Sequence, residues 1–78
     1  MFRGRITPAF SGVISDPEML RRVQDTGYEW GGVRFYFDRW IEFELPQQLD
    51  ENGRETTAHK TFTQAVVNGH LEVEKVPE

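Results

Sequence analysis

Gly31-Gly32-Val33-Arg34-Phe35-Tyr36-Phe37-Asp38-Arg39-Trp40-Ile41-Glu42-Phe43-Glu44-Leu45 is the stretch whose alternation decides the fold. From Val33 on, the odd positions Val33, Phe35, Phe37, Ile41, Phe43 and Leu45 are apolar. The even positions read Arg34, Tyr36, Asp38, Trp40, Glu42 and Glu44. A repeat of two sends alternate side chains to opposite faces of an extended strand, so one face can be core and the other can meet water or a partner. Only Arg39 interrupts the apolar row. The pattern predicts one strand over 33–45, entered through a double-glycine turn and weakened at its far end by Pro46, which signals a sheet edge there. A hairpin at Asp38-Arg39 would instead pair Phe37 with Trp40 and bring Glu42 and Glu44 onto the face of Phe35 and Val33. Burial opposes that register, and Asp-Arg is poor chemistry for a two-residue turn.

Other elements follow from the same kind of reading. Phe2-Arg3-Gly4-Arg5-Ile6 alternates and predicts a short strand with Phe2 and Ile6 inward and both arginines outward, ended by Thr7-Pro8. Ser15-Asp16-Pro17-Glu18 is a helix start, with a capping side chain, proline in the first turn and an acid at the positive dipole end. Met19, Leu20 and Val23 supply a core stripe and Gly27 a stop, which places a helix over 17–26. Asn52-Gly53 suits a type I′ turn, with Leu49 facing Thr56 and a further strand over 55–60. Thr61-Phe62-Thr63-Gln64 matches a capping box before Ala65 and Val66, so a helix is expected over 62–68. A second Asn-Gly hairpin at Asn68-Gly69 is the competing reading. His70-Leu71-Glu72-Val73-Glu74-Lys75-Val76 alternates again, with Leu71 and Val73 inward.

These elements predict a single α+β domain over 1–78, a small antiparallel sheet with two helices on one face. Their order matches the ferredoxin-like βαββαβ arrangement, the alternative being one helix on a β-meander. In the ferredoxin-like order the first strand lies beside the last. Arg3 and Arg5 then sit against Glu72 and Glu74 as opposite-charge cross-strand pairs.

A chain of 78 residues buries only about 60–65% of the surface its unfolded form exposes, so its stability margin is thin. Aromatics at 13% give a small core more area per residue than aliphatics would. Cysteine is absent, which excludes disulfides and thiolate metal sites and fits a reducing compartment. No run approaches the ~18 apolar residues of a membrane span and no signal-peptide core follows Met1, so a cytoplasmic location is expected. Opening on Met1, the chain is expected to be a complete short gene product. The net charge of −4 is uneven. Residues 1–39 carry six basic and five acidic groups, whereas 40–78 carry three basic and eight acidic. An acidic half repels phosphate backbones and attracts basic surfaces.

Catalytic constellations are missing from the sequence. His59 and His70 have no partners at metal-ligand spacing, and His70 with Glu72 and Glu74 reads as a solvated strand end. The pairs Glu42/Glu44 and Glu72/Glu74 are two apart on outward strand faces, where carboxylates are normally exposed. Ser11 and Ser15 lie in no nucleophile elbow, and no phosphate-cradling glycine pattern occurs. No enzyme activity, metal or other cofactor is therefore expected. Tyr36, Trp40 and Arg34 could stack bases on a sheet, but the RNA-recognition signature is missing and the glutamates crowd the same face, so direct nucleic-acid binding is disfavoured.

Read instead as a protein-binding surface, that face offers Tyr36 and Trp40 as anchors rimmed by Arg34, Glu42, Glu44, Glu72 and Glu74. Both rings could also be covered by the N-terminal segment around Phe10, by a helix or by a second copy in a homodimer. The sequence thus points to a small acidic module that inhibits or regulates a partner protein by blocking its surface, of the kind that phages and mobile elements direct against bacterial defence or nucleic-acid-handling complexes. Size and charge alone carry that association. An assembly subunit that oligomerises through its long strand is the alternative, and a small RNA-binding domain the third.

Overall fold

The computed structural model describes residues 1–77. Its first strand, β1 (Phe2–Ile6), is followed by a single helical turn, α1 (Pro8–Ser11), and by the helix α2 (Pro17–Thr26). Three short strands come next: β2 (Tyr28–Trp30), β3 (Val33–Phe35) and β4 (Ile41–Phe43). Helix α3 (Thr57–Val67) and strand β5 (Leu71–Lys75) complete the α+β chain.

β1 is the middle of a three-stranded sheet of order β4-β1-β5, antiparallel to both neighbours. Its register with β5 sets Arg3 opposite Glu74 and Arg5 opposite Glu72, as the charge pattern requires. Phe2, Gly4 and Ile6 alternate onto the other face, where Phe43, Ile41, Val73 and Leu71 stand opposite them. Gly4 is buried there because a Cβ would lie 2.7 Å from the Phe35 ring and 3.2 Å from that of Phe43. A strand interior without a side chain thus admits two aromatic rings.

The core is one cluster of Ile6, Phe10, Val23, Trp30, Phe35, Phe43, Phe62, Ala65 and Leu71. Phe35 is wholly enclosed and meets Phe43 edge-on, with ring centroids 5.0 Å apart. Phe43 meets Phe62 of α3 at 5.4 Å, and Phe10 meets Trp30 at 4.9 Å. Such tilted contacts satisfy the ring quadrupoles while burying large areas. Helices α2 and α3 both send their buried residues into this cluster, on the apolar side of the sheet.

Helix α2 has the predicted bounds. Asp16 accepts a hydrogen bond from the Glu18 amide, and Gly27 stops the helix at φ 79°. A side chain at Gly27 would also be forced to 2.3 Å from the Phe35 carbonyl oxygen. The double glycine turns β2 into β3 with φ of 62° and 82°, the positive values that a two-residue hairpin loop demands.

The strand expected over 33–45 is divided. β3 pairs with β2, β4 pairs with β1, and residues 36–40 leave the ladder between them. The cause is the residue that broke the apolar row. Arg39 stands at an inward parity position, and burying an unpaired guanidinium is costly, so the chain bulges and leaves its side chain in solvent. Parity nevertheless survives, with Phe35 and Phe43 buried and Glu42 exposed. It ends at Phe43, for Leu45 is 48% exposed.

The strand expected over 55–60 is not formed, and with it goes the element that a ferredoxin-like order needs. Thr56 instead caps α3, its hydroxyl accepting from the His59 amide at 3.1 Å. The helix therefore begins at Thr57 rather than at Phe62, and no hairpin forms at Asn68-Gly69. The turn also takes in one residue more than the expected Asn52-Gly53 pair. Asp50 donates to the Arg54 carbonyl at 2.8 Å, Gly53 takes φ 76°, and Leu49 bridges to Glu55 instead of Thr56. This is a three-residue loop, and the Asp50 carboxylate fixes it by accepting from the Asn52 and Arg54 amides.

Candidate functional site

The side of the three-stranded sheet opposite the core carries charge and one large ring. Arg3 and Arg5 project from β1, Glu42 from β4, and Glu72 and Glu74 from β5. Trp40 enters from the end of the 36–40 excursion. Both guanidinium carbons lie over its indole, at 4.6 Å for Arg3 and 4.5 Å for Arg5. Two cations on one ring would repel each other without counter-charge. Glu74 accepts a hydrogen bond from the Arg3 Nε, and Glu72 lies 3.3 Å from the Arg5 guanidinium. A half-buried indole is thus held by two arginines, each tied to a glutamate on the neighbouring strand. Such contacts contribute about 0.5–1 kcal/mol each at exposed positions, so they serve more to fix side-chain geometry than to hold the fold.

The remaining residues expected at this site divide. Glu42 stands across β1 from Glu74 and has no ion-pair partner among the described residues. Glu44 follows β4 and is exposed. Tyr36 is half-buried; its ring packs over Gly27 and under the Arg39 guanidinium, 4.0 Å away. That makes a second cation-π stack on the same excursion. Arg34 is engaged elsewhere: it donates to the Thr26 carbonyl at 2.8 Å and toward that of Gly27 at 3.4 Å, closing the end of α2. Its positive charge meets the negative pole of that helix.

Trp40, Glu42, Glu72 and Glu74 therefore share one face, while Arg34 does not join their contacts. Arg3 and Arg5 are the members that the sequence reading left out. Their outward orientation and their pairing with Glu72 and Glu74 were legible, but treating them as partners of the glutamates alone hid their place beside the indole.

Two concave regions lie elsewhere. A groove of about 310 Å³ runs between α3 and the start of β5, lined by Trp30, Lys60, Gln64, Ala65 and His70 among others. A wider dip of about 570 Å³ is lined by α2 alone and has no second wall to enclose a ligand. No group of three or more histidines and carboxylates converges among the described residues. No helix among them is long and apolar enough to cross a membrane. Comparison with protein-family models, with curated proteins and with solved structures finds no match.

Proposed function

We propose that the protein is a small cytoplasmic, non-enzymatic module that docks a partner protein on the outward face of its three-stranded sheet and inhibits or regulates that partner by covering its surface. The observation that carries this reading is the Trp40 indole held between Arg3 and Arg5. Trp and Arg are the residue types most often found at the energetic centre of protein interfaces. Ordering three rotamer-rich side chains on binding costs about 0.5–1.5 kcal/mol each, and here the free protein already holds them. The uncompensated acids Glu42 and Glu44 at the rim favour a partner with basic groups around a flat apolar centre.

The charge of this face decides between partner classes. Arg3 and Arg5 are already paired to Glu74 and Glu72, which leaves little positive potential to attract a phosphate backbone. An assembly subunit joined through a long strand is less well supported, because 33–45 divides into two three-residue strands.

The test is affinity capture with three proteins side by side: wild type, Trp40→Ala, and Val67→Ser, which alters an exposed apolar side chain on α3. A protein retained by wild type and Val67→Ser but lost with Trp40→Ala is the expected result. Retention by Trp40→Ala would overturn the reading. So would quenching of tryptophan fluorescence by single-stranded RNA in the wild type but not in Trp40→Ala.

A further inference from the structure

The sheet ends at β5, and its outer edge has a defined hydrogen-bonding pattern. Thr7 donates to the His70 carbonyl and Val76 to that of Met1. In an antiparallel ladder, bonded pairs alternate with unbonded ones, so Glu72 and Glu74, which lie between the His70 carbonyl and the Val76 amide, direct their backbone groups toward β1. Ile6 confirms the phase from the other side of β1, donating to Tyr36 at 2.9 Å. It follows that the N–H and C=O groups of Leu71, Val73 and Lys75 point away from the sheet. They have no backbone partner among the described residues.

We propose that this edge accepts an added strand from a partner protein, an extended segment with Lys or Arg at alternate positions and apolar residues between them. The proposal rests on the reading of the outward face as a protein-docking surface, of which β5 is the rim. A strand bonded to Leu71, Val73 and Lys75 has its unbonded, closely spaced positions opposite Glu72 and Glu74, where side chains approach most nearly. Each of these carboxylates has one oxygen engaged by arginine, Oε2 of Glu72 and Oε1 of Glu74, and a second free. Both side chains keep about half of their surface in solvent, 53% for Glu72 and 45% for Glu74. A basic residue on the new strand would extend the charge order of Arg3 with Glu74, and of Arg5 with Glu72, by one further step. The intervening apolar side chains would continue the face of Leu71 and Val73.

A second copy of the chain does not fit this edge. Antiparallel pairing of β5 with itself, in any register that sets Val73 opposite Leu71, Val73 or Lys75 of the other copy, puts Glu72 or Glu74 against Glu72 or Glu74. Like charges directly opposite are destabilising, so the edge is guarded against self-association and open to a basic strand.

The probes are three synthetic peptides: one alternating Val and Lys, one alternating Val and Glu, and the Val/Lys peptide methylated on its valine amides. Titration into the labelled protein by NMR at low salt should move and protect the Leu71, Val73 and Lys75 amides with the Lys peptide. The Glu peptide should bind at least about tenfold more weakly, and the Lys preference should shrink at high salt. N-methylation of the valines should abolish binding, since those amides make the inter-strand bonds. Replacing Val73 by proline removes one outward donor without touching the β1 ladder, and should abolish binding while Glu72 and Glu74 amides stay protected. Equal affinity for Lys and Glu peptides, unchanged binding of the methylated peptide, or shifts at the Glu42 edge instead would overturn the proposal. Trp40→Ala separates the two readings, because it should spare peptide binding at the edge while removing capture of the partner.

Discussion

Trp40 owes its position to Arg39. A guanidinium at an inward position cannot stay in the ladder, and the excursion that releases it presents the next side chain to Arg3 and Arg5. A charged residue that looks like an error in the strand pattern is thus what builds the outward face. Arg34 shows the opposite case, a residue that reads as part of a surface patch but serves the fold. Arg34→Ala should remove a charged hydrogen bond to the last carbonyls of α2 and cost about 0.5–1 kcal/mol. In a domain of this size that lowers the melting temperature by roughly 2–8 °C, measurable by circular dichroism. Capture of the partner should be unaffected. Loss of capture at unchanged stability would place Arg34 in the docking surface after all.

At the scale of elements, α3 depends on Thr56 more than on the capping box that the sequence displays at Thr61. Thr56→Ala removes the bond to the His59 amide and the tie from its hydroxyl to the Gln47 carbonyl. Loss of an N-cap of this kind costs about 0.5–2 kcal/mol. Urea unfolding should show that loss, whereas Thr61→Ala, within the helix, should change stability by less than about 0.5 kcal/mol. Equal losses would contradict the observed start. Elements whose signals are local were legible from residues alone: β1 and α2 have their predicted bounds, and β5 lies within its predicted span. The β1–β5 register was also legible, because opposite charges on two alternating strands fit only one pairing phase. What escaped was decided by distant contacts. Residues 57–60 carry no clear helical period, and their extended reading assumed a partner strand at 45–49 that Pro46 and the 47–49 loop do not provide. The short α1 turn after Thr7-Pro8 was missed although Phe10, its buried residue, closes the core against Tyr28 and Trp30.

At the scale of the molecule, one side of the sheet is spent on an aromatic core and the other on a fixed charged face. A small domain has few residues to spare for this. The same β1 strand therefore serves both sides, with Phe2, Gly4 and Ile6 inward and Arg3 and Arg5 outward. The outward face was legible to the extent that parity governs it: Trp40, Glu42, Glu72 and Glu74 were expected on one face and lie together there, whereas the arginines that frame the indole required the bend at 36–40 to be seen. Partner contact is proposed for this face. It is tested most directly by placing a photo-crosslinking benzoylphenylalanine at Glu42, across β1 from Glu74, and at Val67 on α3, 74% exposed, in parallel. Irradiation in native extract should give a discrete protein adduct from position 42 and none from position 67; adducts from 67 alone, or nucleic acid in place of protein at 42, would contradict it.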